Sequence, residues 1–191
     1  MSAGRGPRVI AGEIGGLRLA TPRGSRTRPT ADRVKESLFA ALGARVEDAV
    51  VLDLYAGSGA LAIEALSRGA ARAVAVESDR AAVAAIRTNV ERAHLVGRLR
   101  VHPGTVAAYL AGATGDGPFD LVLMDPPYDT PGTTIGVHLT ALGAPGVLAA
   151  GGCVVVERAA DGAPAMPEGW RVTWARTYGD TLILLCEPGG D

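Results

Sequence analysis

AVVLDLYAGSG, residues 49–59, is the stretch whose reading decides the fold. Its first six residues are apolar apart from Asp53. A run that continuous belongs to a strand buried on both faces, as strands of parallel sheets are. Gly57 and Gly59 then turn the chain, and ALAIEALSRGA (60–70) reads as a helix closed by Gly69. The rhythm repeats downstream. ARAVAVESD (71–79) is a second strand and 80–93 a helix; RLRVHPG (98–104) is a third strand and 105–112 a short helix. FDLVLMDPPYD (119–129) gives a fourth strand, with a helix near 133–143, and GGCVVVER (151–158) a fifth. WRVTWARTYGDTLILLCE (170–187) reads as two strands turning at Tyr178–Gly179–Asp180, a tight connection that makes the pair antiparallel. Strands alternating with helices predict an α/β fold, a mostly parallel sheet covered on both faces.

Upstream the pattern differs. RVIAGEIGGLRL (8–19) predicts a β-hairpin around Gly12–Gly16, with Val9, Ile10, Leu17 and Leu19 as its apolar positions. The loop TPRGSRTRPT (21–30) leads to a helix starting at Thr30, with Val34, Leu38, Phe39 and Leu42 on one face and Gly43 at its end. The 191 residues are 48% hydrophobic and 20% charged with a net charge of −1, which fits one folded domain and excludes wholesale disorder. No apolar run nears the roughly 20 residues of a bilayer span and no signal-peptide core is visible, so a soluble, cytoplasmic protein without a membrane partner is expected. Cys153 and Cys186 sit far apart in apolar stretches and read as reduced core residues. No metal-ligand spacing is present. Charge is unevenly placed: residues 1–35 carry +6 and the remainder −7, a basic arm on an acidic body that points to a polyanionic partner.

Three constellations carry chemistry. Asp53 precedes the Gly57–Gly59 turn by four residues. In a doubly wound sheet the ligand crevice lies at the carboxyl ends of the strands. There a glycine turn lets backbone approach a ligand and the next helix offers free N–H groups. An acid at that strand end would repel a dinucleotide's pyrophosphate but suits the ammonium of a methionine-type ligand. Glu77 ends the next strand, where a carboxylate can accept both hydroxyls of a ribose. Asp125-Pro126-Pro127-Tyr128 follows the fourth strand. Its prolines fix the backbone, so the Asp125 side chain and Pro126 carbonyl form a rigid pair of acceptors for the two N–H groups of an exocyclic amine. Tyr128 offers a face on which a flipped-out base can stack, for about 1–3 kcal/mol.

Taken in this order, Asp53–Gly59, Glu77 and Asp125–Tyr128 resemble a class I S-adenosylmethionine-dependent methyltransferase acting on exocyclic amines. More narrowly, residues 8–19, TRPTADRVKESLFAAL (27–42), DLYAGSGALAIEALSRGA (53–70), DPPYD (125–129) and TYGDT (177–181) resemble the RsmD family of 16S ribosomal RNA guanine-N2 methyltransferases. That resemblance implies a Rossmann-like seven-stranded sheet of order 3-2-1-4-5-7-6 whose last strand is antiparallel, with an N-terminal hairpin extension. It implies S-adenosylmethionine as cofactor, held by Asp53, Tyr55, Gly57, Gly59, Glu77, Ser78, Thr105 and Val106, and catalysis by Asp125, Pro126, Pro127 and Tyr128. It implies 16S ribosomal RNA as substrate, presented in an assembled or partly assembled 30S particle; separately, the protein is expected to act as a monomer.

One departure stands out: the acid that many such enzymes place after the third strand to hold the adenine amino group is Thr105 here. His102 reads as structural, and His94 and His138 belong to no constellation. Residues 1–29 are expected to form a basic RNA-contacting arm, and 30–191 the catalytic domain. Arg8, Arg18, Arg23, Arg26, Arg28 and Arg33 would neutralise RNA phosphates. The rivals are a DNA adenine-N6 methyltransferase, which usually needs a target-recognition region that 191 residues barely accommodate, and a non-catalytic RNA-binding assembly module, which would need no intact DPPY.

Overall fold

A computed structural model of the chain describes residues 6–22, 30–112, 115–162 and 164–189. Helix α1 (Thr30–Leu42) runs into a short 3-10 turn (Gly43–Val46). The alternating elements follow: β1 (Val50–Leu54), α2 (Ala60–Ser67), β2 (Arg72–Glu77), α3 (Arg80–Arg92), β3 (Leu99–Pro103), α4 (Val106–Gly112), β4 (Phe119–Met124), α5 (Gly132–Leu142) and β5 (Leu148–Ala159). The chain closes with β6 (Trp170–Tyr178) and β7 (Thr181–Pro188). The seven strands form one sheet in the order β3-β2-β1-β4-β5-β7-β6, parallel except for β7, which runs antiparallel to both neighbours. This is the expected class I order. Strand β5 begins three residues earlier than its sequence reading, because Leu148 pairs with Phe119 across a register shift that absorbs the Gly151–Gly152 step.

Strand alternation sorts the core into two layers. Val51, Leu121 and Val155 face α1, α2 and α3, whereas Leu52, Leu54, Val122 and Met124 face α4 and α5. Asp53, between Leu52 and Leu54, therefore points to the α2 side. Cys153 and Cys186 are buried and free, as expected. No helix among the described residues is long and apolar enough to cross a membrane.

The N-terminal segment pairs as the predicted hairpin: Arg8 bridges Arg18, the Val9 N–H donates to Leu17 and the Leu19 N–H donates to Pro7. It is part of the body's packing. Val9 (0% exposed) and Leu19 (4%) sit in the same core cluster as α1, α2 and α3. The buried Glu64 carboxylate accepts the Ile10 and Ala11 N–H groups at 2.7 and 3.2 Å. Gly12, at φ +86°, lies so close to the end of α2 that a Cβ would sit 1.8 Å from the Ser67 carbonyl oxygen. Lys35, counted with the basic arm from sequence, is buried, its ammonium donating to the Arg8 carbonyl at 2.6 Å and lying 3.7 Å from Glu64. It takes no part in the surface charge. Val9 and Leu19 of the hairpin thus pack into the same core as α1, α2 and α3.

Candidate active site

The carboxyl edge of the central strands gathers the candidate residues. Strands β1 and β4 are parallel neighbours with Leu54 opposite Met124, so Tyr55 and Asp125 leave the sheet side by side. Asp53, one residue inside the edge, is 1% exposed. Its Oδ2 accepts the Ala62 N–H of α2 at 3.0 Å, while its Oδ1 is buried without a hydrogen-bond partner. Burial pushes this carboxyl up to about 8, the Ala62 bond opposing and the charges of Asp125 and Glu77 adding to the rise. A buried carboxylate oxygen left without a donor is the kind of group a cationic ligand satisfies.

Tyr55 turns the chain with φ +62°, a conformation rare for an aromatic residue. Gly57 follows at φ +56° with open space where a Cβ would stand, and Gly59 caps α2 at φ +76°. Glu77 ends β2 and supports this turn: Oε2 accepts the Gly57 N–H and Oε1 the Asp79 N–H, each at 2.8 Å. One lone pair on each oxygen remains for a ligand.

Beside Glu77 opens a cavity of about 260 Å³ that brings together Tyr55, Glu77, Ser78, Thr105 and Val106. The Thr105 hydroxyl accepts the Ala108 N–H at 3.2 Å. Sequence reasoning missed the other lining residues, Val76, Gly104 and Ala107 and, on α5, Thr134 and His138. His138, read as belonging to no constellation, is placed here by the structure, its Nδ1 3.1 Å from the Tyr55 hydroxyl. A spacing of four puts both side chains on one face of α5, but nothing in the sequence marks that face as lining a cavity. His102 packs edge-on to Tyr109 with ring centroids 4.9 Å apart.

After β4, Pro126 is buried while Asp125, Pro127 and Tyr128 are exposed. The Thr130 N–H donates to Pro127, closing the turn, and the Tyr128 hydroxyl lies 3.3 Å from the Thr181 hydroxyl at the start of β7. The β6–β7 turn is anchored in the same region, where the Tyr178 hydroxyl bonds the Ser37 hydroxyl of α1. Of the candidate RNA contacts, Arg8, Arg18 and Arg33 are exposed, Arg8 pairing with Asp32 at 3.0 Å. Arg23, Arg26 and Arg28 lie outside the described residues.

A sheet in this order, with a glycine turn after β1 and a carboxylate ending β2, defines the class I methyltransferase fold. Solved structures agree: the Escherichia coli yhhF structure superposes with a TM-score of 0.83 at 32% identity, covering 97% of this chain and 99% of that one. A hypothetical protein of Thermus thermophilus gives 0.77 at 32% identity over 94% and 98%. The model of the family described as Conserved hypothetical protein 95 matches residues 7–187, and the chain belongs to this family, the RsmD family. It is 37% identical over 179 residues to ribosomal RNA small subunit methyltransferase D of Escherichia coli K12, covering 93% of this chain and 88% of that one.

Proposed function

We propose that the chain transfers a methyl group from S-adenosylmethionine to the exocyclic N2 amine of a guanine in 16S ribosomal RNA, within an assembled or partly assembled 30S particle. The observation that carries this reading is the adjacency of Asp53 and the Asp125–Tyr128 loop at one sheet edge. A donor site and an acceptor for an exocyclic amine thereby meet. The name of the Escherichia coli relative, a small-subunit ribosomal RNA methyltransferase, supports the substrate class.

The residues present fit the methyl donor. Asp53 Oδ1 is a buried acceptor in want of a cationic donor, Glu77 keeps acceptor capacity for ribose hydroxyls, and the cavity at Ser78, Thr105 and Val106 has room for a base. The open space at Gly57 lets the turn lie against the ligand. Bound there, S-adenosylmethionine supplies an electrophilic methyl carbon. The chain positions the nucleophile. Asp125 and the Pro126 carbonyl accept the two N–H groups of the amine, which draws the nitrogen lone pair out of ring conjugation. Pro126 and Pro127 have no N–H to compete for those acceptors. Tyr128 stacks on the base, its tilt set by the bond to Thr181. As the C–N bond forms and the methyl–sulfur bond breaks, its electron pair staying on a sulfur that becomes a neutral thioether, the nitrogen becomes cationic, and its proton leaves through Asp125, which is exposed and can pass it to water. Alignment does most of the work. Residues 1–29 are proposed to grip RNA through Arg8, Arg18, Arg23, Arg26 and Arg28, with Arg33 on α1 beside them, and the protein to act as a monomer.

The test is transfer of labelled methyl from the donor to undermethylated 30S subunits, naked 16S RNA and duplex DNA in parallel, followed by nucleoside analysis. N2-methylguanosine from the particle is expected; N6-methyladenine in DNA overturns the reading. Asp125→Ala should abolish turnover while leaving the affinity for S-adenosylhomocysteine within a few-fold of wild type. Near-normal turnover by Asp125→Ala removes the assigned role.

A further inference from the structure

The nucleoside cavity contains a polar pair that the reaction above leaves unused. Tyr55 holds a left-handed backbone at φ +62°, a conformation strained for a residue that is not glycine, and its hydroxyl meets Nδ1 of His138 at 3.1 Å. His138 is only 5% exposed and yet lines the cavity, together with Thr134 one turn before it on α5. Its imidazole makes no other side-chain hydrogen bond among the described residues, so Nε2 is uncommitted. Two of the cavity's other side-chain acceptors, Glu77 and Thr105, are already engaged. Glu77 is bound by two backbone N–H groups at the ribose end, the Thr105 hydroxyl accepts from Ala108, and no acid stands at residue 105.

Resting on the reading of this cavity as the donor's nucleoside site, we propose that His138, oriented by Tyr55, accepts the 6-amino N–H of the donor's adenine and so replaces the acid missing at Thr105. The chemistry follows from tautomer selection. A neutral imidazole has one donor nitrogen and one acceptor, and since the Tyr55 hydroxyl can take either role it accommodates the tautomer that an amino group at Nε2 requires. With Nδ1–H donating to the Tyr55 oxygen, Nε2 carries the lone pair that an amino group needs. Burial lowers the pKa of His138 and keeps the ring neutral at pH 7. Tyr55 is then a positioning residue acting through His138, which accounts for an aromatic residue held in a left-handed turn.

The experiment compares two ligands on the intact chain by calorimetry: S-adenosylhomocysteine and its purine riboside analogue, in which hydrogen replaces the 6-amino group. One neutral hydrogen bond corresponds to a preference of about three- to ten-fold for the amino ligand. Wild type should show that preference, His138→Leu should reduce the ratio to about one, and Tyr55→Phe should shrink it while binding persists. A purely structural His138 would weaken both ligands alike and leave the ratio unchanged, which overturns the inference, as does a wild type without preference. Should His138→Leu fail to fold, Tyr55→Phe removes a single oxygen and decides by the same ratio. Wild-type protein that binds neither ligand overturns the donor reading as well; a preserved ratio overturns this inference alone.

Discussion

At the scale of single residues, the site holds one group whose burial works against the fold. The folded Asp53 carboxyl titrates near 8 against an ordinary value of 3.8, so its protonated form is the one the fold prefers. The stability it contributes is full below about pH 4 and is lost as pH rises through about 8. Asp53→Asn keeps an oxygen for the Ala62 N–H and removes the charge. It should therefore melt at a higher temperature than wild type at about pH 9 and differ little at about pH 4. Donor binding moves the other way. An ammonium needs the carboxylate, so calorimetry of S-adenosylhomocysteine near pH 7 in buffers of different ionisation heat should show roughly one proton released by wild type and none by Asp53→Asn, whose affinity falls about ten-fold or more. Equal proton release by the two chains removes Asp53 from the ammonium site. Asp53 and Glu77 were legible as candidates because an acid closing an apolar strand has no packing reason to be there. His138 was not, because α5 is apolar around it and a histidine among Ile135, Leu139 and Leu142 reads as core. Only the tertiary contact with Tyr55, 83 residues away, shows otherwise.

At the scale of elements, the sheet was readable because each inner parallel strand is a local run of apolar residues, and chain order plus the right-handed crossover rule restricts how such strands assemble. The docking of the N-terminal hairpin left no local pattern. It rests on polar side chains far along the chain, chiefly Glu64, Ser67 and Asn89, each at least 53 residues away. Asn89 is fully buried; it exchanges two hydrogen bonds with Ala20 and donates a third to Ser58, joining the hairpin's exit to the glycine turn. Glu64 matters most. It is fully buried and receives Arg68 at 2.7 Å, Lys35 at 3.7 Å and the hairpin's Ile10 and Ala11 N–H groups. Burial holds the Lys35 pKa down, with Glu64 countering it, so the lysine depends on that carboxylate for its charge. Glu64→Gln keeps the shape and strands a buried cation, and should destabilise the chain by about 3–5 kcal/mol in urea unfolding, with amide exchange rising first across residues 9–19. The exposed Arg8–Asp32 pair is worth under about 1 kcal/mol by comparison, so Asp32→Asn is the control that should leave the midpoint nearly unchanged.

At the scale of the whole molecule, the same docking changes how the RNA reading must be tested. Truncating the N-terminal segment would strip Val9 and Leu19 from the core, so lost RNA binding by such a chain would report unfolding and say nothing of charge. Charge reversal at exposed positions avoids this. Residues 1–35 carry +6 against −7 elsewhere, and with Lys35 buried the exposed cations of the segment among the described residues are Arg8, Arg18 and Arg33. Arg18 lies on the hairpin and Arg33 on α1, both exposed and neither in an ion pair among the described residues, whereas Arg8 spends part of its charge on Asp32. A phosphate contact releases condensed counterions, so each one lost should reduce the slope of log affinity against log salt by about 0.7–0.9. Arg18→Glu with Arg33→Glu should thus weaken binding to 16S RNA most at low salt and flatten that slope by between one and two such increments. The affinity for S-adenosylhomocysteine and the urea midpoint should stay at wild-type values, since neither side chain touches the donor cavity or the core. Filter binding over a series of salt concentrations measures it. An unchanged slope assigns the RNA contact to another face of the molecule, and a slope that falls together with donor affinity shows that the substitutions disturbed the fold.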